Sequence, residues 1–221
     1  MKRADAASIY NSAPCSDESL FFSGFAGSSA MFGAAHPTED SRGDAACGKI
    51  MHIASDSFLH RPSLCDEAVN SISGFINRDI YSLQEPYRAF LAHSAIVFIH
   101  KKKARCIFSG NGRIYHLSGG KVIGSTEQRE YLLYGKKIRY KENFAPEFDL
   151  ARGDNSFVIC CGNSSADIEA DVLESIFASS VSAEEAAQKL VDSLPGNELS
   201  VMTVKLPERK SLLGRLFGGG R

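Results

Sequence analysis

The sequence predicts one α+β domain built from antiparallel strands and amphipathic helices, and three observations carry that reading. Between residues 95 and 122, apolar runs alternate with glycine-bearing turns, the pattern of a β-meander. Several other stretches repeat apolar residues at helical intervals. Near the C-terminus, Leu199-Ser200-Val201-Met202-Thr203-Val204-Lys205-Leu206 alternates and is rich in β-branched residues, which returns the chain to a sheet. A chain of 221 residues with 43% hydrophobic content can bury a full core as a single domain.

In chain order, Ile50, Ile53, Ala54 and Phe58 form one helical stripe, and Leu64, Ala68, Val69, Ile72, Ile76 and Ile80 form the next. The meander follows: Ala95-Ile96-Val97-Phe98-Ile99, a turn at Lys101-Lys102-Lys103, residues 104–109, then Gly110-Asn111-Gly112 and Arg113-Ile114-Tyr115-His116-Leu117. Its glycines, including Gly119-Gly120, supply the positive φ that tight connections need. The three lysines read as a solvated charge run flanking strands. From Thr126 the chain crosses Glu127-Gln128 and a short charged connection, residues 136–142, before Pro146. A turn at Gly153-Asp154-Asn155-Ser156 opens the buried run Phe157-Val158-Ile159-Cys160-Cys161, which ends in the polar loop Gly162-Asn163-Ser164-Ser165. Ile168, Val172 and Ile176, with Leu173 and Phe177 beside them, mark an amphipathic helix. Ser182 and Glu185 make a capping box for a last helix striped by Ala183, Ala186, Ala187, Leu190, Val191 and Leu194, and Pro195-Gly196 ends it.

This ordered set resembles the metal-dependent serine/threonine protein phosphatases of type 2C, in particular their compact bacterial members. The family's Gly-Asp-Ser-Arg-x-Tyr strand looks like Gly110-Asn111-Gly112-Arg113-Ile114-Tyr115, and its Ser-Asp-Gly loop like Cys161-Gly162-Asn163. Its Ala-Ala-x-x-Leu-Val helix is similar to Ala186-Ala187-Gln188-Lys189-Leu190-Val191, and its Asp-Asn-Ile-Thr entry to the last strand is similar to Asn197-Glu198-Leu199-Ser200. Fainter likenesses lie earlier. Asp17-Glu18-Ser19-Leu20-Phe21-Phe22 is similar to the family's Asn-Glu-Asp segment, and Ala30-Met31-Phe32-Gly33-Ala34-Ala35 looks like the strand leading to Asp-Gly-Met-Gly-Gly. The resemblance implies a four-layer αββα sandwich, two antiparallel sheets face to face with helix pairs outside them. It also implies one phosphatase-like domain over residues 8–206, a frayed terminus over 1–7 and a flexible basic, glycine-rich tail over 207–221.

The family's chemistry uses two divalent cations, manganese or magnesium, that bridge an attacking water. Hard cations of this kind are held by carboxylate oxygens and water. Carried over residue by residue, the early ligand survives as Asp17, but the Asp of the glycine loop falls at His36, the Asp of Ser-Asp-Gly at Gly162 and the Asp of Asp-Asn-Ile-Thr at Asn197. The supporting Asp falls at Asn111, and the phosphate-binding Arg falls near Ser12. The resemblance therefore implies a phosphatase fold without the phosphatase chemistry, with no cofactor and a protein partner such as a phosphoprotein or a kinase-linked regulator. The alternative is an active Mn2+- or Mg2+-dependent phosphatase whose reshaped metal site uses Asp17, His36 and Asp40, with Glu39 or Glu198 reached by a register slip; His36 as a nitrogen ligand favours a transition metal. A minor option is a small-molecule pocket in the vacated cleft, lined by Asn111, Arg113, Asn163 and Asn197. The acidic loop Glu39-Asp40-Ser41-Arg42-Gly43-Asp44 otherwise reads as solvated.

Composition excludes other classes. The net charge is −1 with dispersed basic residues, so no electrostatic footprint for nucleic acid exists. No apolar run reaches the roughly twenty residues a bilayer needs, and no signal peptide is expected. Six cysteines without a Cys-x-x-Cys pair read as reduced thiols of a cytoplasmic protein. Neighbouring Cys160 and Cys161 point to opposite faces of a strand, which prevents joint chelation, and His52, His60, His93, His100 and His116 lack ligand spacing.

Overall fold

The computed structural model describes residues 4–11, 20–38, 43–62, 66–83, 92–126, 146–150, 153–162, 168–194 and 199–207. In chain order these form β1 (Asp5–Asn11), β2 (Phe21–Ala26), β3 (Ser29–Pro37), α1 (Gly43–His60), α2 (Asp66–Ser82), β4 (Ala92–His100), β5 (Lys103–Ser109), β6 (Arg113–Ser118) and β7 (Lys121–Ser125). They continue as β8 (Glu147–Asp149), β9 (Asn155–Gly162), α3 (Ala170–Ser179), α4 (Ala183–Ser193) and β10 (Leu199–Lys205). One five-stranded sheet runs β1-β10-β9-β6-β7 and the other β2-β3-β4-β5-β8. Neighbouring strands pair antiparallel in both.

The side-chain period of two sorts each strand between two layers. Ala30, Phe32 and Ala34 of β3 meet Phe157, Ile159 and Met202 of the facing sheet in the central layer. Met31 and Ala35 of the same strand pack outward with Ile50 and Phe58 of α1 and Ile76 and Ile80 of α2. On the far side, Val158, Cys160 and Val201 pack with Leu173, Ile176 and Phe177 of α3 and Leu190 of α4. This is the four-layer sandwich the resemblance implies. It explains why β3 and β4 are buried along almost their whole length rather than alternately, since both faces of their sheet are covered. Burying a side chain the size of Phe32, fully inaccessible here, is worth about 1.5–3 kcal/mol.

Two boundaries differ from the sequence reading. Asp5, Ala6 and Ala7, expected in a frayed terminus, pair with Lys205, Val204 and Thr203. Asp5 also accepts a hydrogen bond from the Ala183 N–H at 2.7 Å, which anchors the first strand to the start of α4. Gly43 and Asp44, read as the end of a solvated loop, instead open α1. The Ser182 half of the capping box stands as expected, Ser182 Oγ accepting from Glu185 N at 3.1 Å, while Glu185 Oε2 reaches one residue further back and accepts from Val181 N at 2.8 Å. Among the described residues no helix is long and apolar enough to cross a membrane. The tail from residue 208 onward lies outside the described residues.

Candidate functional site

Antiparallel pairing brings the ends of β3, β5 and β9 and the starts of β4, β6 and β10 to one end of the sandwich. His36 continues the alternation of Ala30, Phe32 and Ala34 and so faces the layer between the sheets. His93 does the same ahead of Ala95, Val97 and Ile99, and Ser200 ahead of Met202 and Val204. His36 and His93 are register partners across β3 and β4. His36 Nδ1 lies 3.0 Å from Ser200 Oγ on the other sheet. The Asn111 backbone N–H donates to His93 Nδ1 at 3.0 Å. That bond requires a bare Nδ1, so the His93 ring is neutral and carries its proton on Nε2. Both rings are buried, at 2% and 7% exposed. Burial, reinforced by the neighbouring His93, lowers the His36 pKa to about 4, and burial alone lowers that of His93 to about 4.

Cys161 points into the same layer and its thiol donates to the Ala34 carbonyl at 3.3 Å. Burial raises its pKa well above the ordinary thiol value, so it is held as S–H. Gly162 closes β9 at φ +125°, a conformation that a side chain would strain, and pairs with Leu199. Asn111 sits in the turn between β5 and β6. The glycine after it is required by close approach, because a Cβ at Gly112 would lie 2.0 Å from the Ser94 carbonyl oxygen. Arg113, 4% exposed, opens β6 opposite Cys160, on the face that Tyr115 and Leu117 turn toward α3 and α4. One of its terminal nitrogens donates to the Gly112 carbonyl at 3.1 Å.

Of the residues singled out from sequence, the structure therefore gathers His36, Asn111 and Gly162 at one end. Arg113 begins its strand at that end but faces the helix layer. Asp17, Asp40, Asn163 and Asn197, with Ser12, Glu39 and Glu198, lie outside the described residues. His93 was missed in the sequence, where 56 intervening positions separate it from His36 and only the β3–β4 register joins them.

The Ser200–His36 contact has the form of a nucleophile and its base, but Ser200 is fully buried and His36 nearly so, which keeps substrate from both. The described donors are neutral imidazoles, a protonated thiol, a hydroxyl and a glycine, and among the described residues no three His, Cys, Asp or Glu side chains come together as a metal site. This donor set does not fit a pair of hard divalent cations, which take oxygen ligands and above all carboxylates.

No family profile matches the sequence, and no curated protein matches it. Solved structures do. The catalytic domain of the serine/threonine phosphatase PstP, in complex with two manganese ions, superposes with a TM-score of 0.68 at 12% identity, over 93% of this chain and 98% of that one. The S. agalactiae serine/threonine phosphatase gives 0.68 at 12% identity over 93% and 99%. RsbX in complex with magnesium gives 0.62 at 16% identity over 91% and 94%. The fold is that of the type-2C protein phosphatases. At such identities the likeness speaks for the type-2C fold, and the chemistry rests on the residues at the strand ends.

Proposed function

We propose that this chain is a type-2C phosphatase-like module that binds and regulates a protein partner without catalysing phosphate hydrolysis. One observation carries the reading. Where the resemblance calls for a metal-binding carboxylate at the end of β3, a neutral imidazole stands instead, tied to Ser200 and paired in register with His93. Buried imidazoles whose Nδ1 atoms meet a hydroxyl and a backbone amide suit a packed end of the sandwich better than a site for hard cations. Gly162 and Asn111 fit the same picture, since neither offers a negative charge to offset the cost of stripping an ion's water. The partner class, a phosphoprotein or a kinase-linked regulator, rests on fold-level analogy. One solved neighbour, PppA, is a key regulatory component of the T6SS in Pseudomonas aeruginosa, an instance of the fold in a regulatory setting. The four described cysteines, unbridged and buried, suit a cytoplasmic site of action.

The test is hydrolysis of an aryl phosphate by the purified chain, with and without millimolar manganese, beside Asp17→Ala. The expected result is no turnover above the uncatalysed rate in either protein. Turnover that needs both manganese and Asp17 would overturn the proposal and establish the reshaped metal site of Asp17, His36 and Asp40.

A further inference from the structure

At the end of the sandwich opposite His36, the turn between β4 and β5 borders a pocket of about 390 Å³ on the helix side of its sheet. Pro62, just past the end of α1, forms one wall with Phe98 and His100. His100 is fixed there by a 2.7 Å hydrogen bond between its Nδ1 and Ser29 Oγ. The mouth carries Lys102, Lys103 and Arg105. The volume falls within the roughly 300–1,000 Å³ of ordinary small-molecule sites.

Charge decides what such a pocket would take. Lys103 and Arg105 both pair with the same carboxylate, Glu147 of β8. Asp149 stands opposite Lys103 in register. Among the described residues Glu147 and Asp149 thus answer Lys103 and Arg105, and exposed Lys102 stands beside them at the rim of an apolar recess. The turn itself is held in place: Leu150 N donates to the Lys102 carbonyl at 2.8 Å, and Lys101 adopts a left-handed φ of +52° that few non-glycine residues take up. A lysine run on a solvated turn needs no apolar recess beneath it. This run has one, and an apolar floor under a cationic rim matches a molecule with an apolar body and an anionic head.

We propose that this pocket binds a small amphiphilic anion, a carboxylate or phosphate monoester on an acyl or aryl body, independently of the strand-end cluster. The head group sits at the Lys102 ammonium and the body lies against Phe98 and Pro62. Because each buried methylene contributes a near-constant increment, shortening a bound chain by two carbons weakens binding roughly ten-fold.

The experiment titrates the full chain with decanoate, decyl phosphate, octanoate, decanol and decyltrimethylammonium below their micelle-forming concentrations, by calorimetry and by amide NMR. Expected are binding of both decyl anions, octanoate about ten-fold weaker, decanol and the cation at least ten-fold weaker, and shifts confined to Arg61 and residues 98–105. Lys102→Glu should weaken decanoate at least ten-fold at an unchanged melting temperature, while Lys102→Arg keeps it. Equal binding of the anion, alcohol and cation would overturn the proposal. So would shifts centred on Asn111 and Gly112, an unaffected Lys102→Glu variant, or binding to anionic vesicles without binding of monomeric decanoate, which would make the turn a membrane contact.

Discussion

His36 Nδ1 and Ser200 Oγ lie 3.0 Å apart, so an imidazole of one sheet and a hydroxyl of the other share a hydrogen bond inside the central layer. In an active phosphatase of this fold, the same strand end is where the resemblance puts negative charge and metal. Here the described side chains at that end include two buried, neutral imidazoles, and their neutrality has measurable consequences.

The first is acid sensitivity. His36 and His93 titrate near 4 when folded, because burial disfavours their charged forms, and near 6.5 when unfolded. Between those values the unfolded chain binds more protons, so stability rises with pH there. The stabilisation is complete above about pH 7 and is lost as pH falls, by roughly 2 kcal/mol per histidine at pH 5. His116, lowered by burial, adds in the same direction. Urea midpoints at pH 7.5 and pH 5 measure this, and a His36→Asn/His93→Gln double variant should show a markedly flatter pH dependence. An equal slope in both proteins would remove these histidines from the account.

The second is a contrast between two glycines. At Gly112 an added methyl meets the Ser94 backbone carbonyl at 2.0 Å, and backbone cannot give way as a side chain tip would. Gly112→Ala should therefore cost about 2–3 kcal/mol and lower the Tm by about 5–10 °C. Gly74 lies exposed within α2 with nothing near its missing Cβ. Gly74→Ala should raise stability by about 0.5–1 kcal/mol, as the better helix former. Thermal unfolding of both variants decides the matter, and a tolerated Gly112→Ala would mean the β5–β6 turn relaxes away from Ser94.

What was legible in the sequence was what local chemistry dictates. The Ser182 cap, the positive-φ glycines at 110, 119 and 120, and the helical stripes of α1 to α4 all follow from residues within a few positions of one another. The strand β1 was not legible, because Asp5-Ala6-Ala7-Ser8 has little strand signal of its own and exists by pairing with residues nearly two hundred positions away. The His36–His93 pair was hidden for the same reason, since register across two strands creates it. The face taken by Arg113 also depends on which sheet partner, here Cys160, fixes the pleat.

The third prediction concerns the start of α4. Ser182 Oγ and Asp5 Oδ2 accept from two N–H groups of the first helical turn, one from a neighbour and one from the far end of the chain. Ser182→Ala and Asp5→Ala should each destabilise by about 1 kcal/mol. Deleting residues 1–5 should cost no less than Asp5→Ala, because the Asp5–Lys205 pairing at the start of β1 goes with the cap. Urea denaturation tests this. A truncation without effect would return the terminus to the frayed state that its sequence suggests.

The fourth concerns thiols. Cys47, Cys106, Cys160 and Cys161 are fully buried. Burial pushes Cys160 up to about 12 and raises Cys106 and Cys161 as well. Alkylation requires both access and a thiolate, and here the two arrive together only when the chain opens. Under native conditions at pH 8, peptides bearing these four positions should stay unmodified while denatured protein labels fully, as read by mass spectrometry. Labelling should then accelerate with urea in step with unfolding. Rapid native labelling of Cys161 alone would carry the opposite meaning. It would place an accessible thiolate beside Gly162, open the strand end that His36 and Ser200 close, and make a cysteine nucleophile at that end the hypothesis to test next.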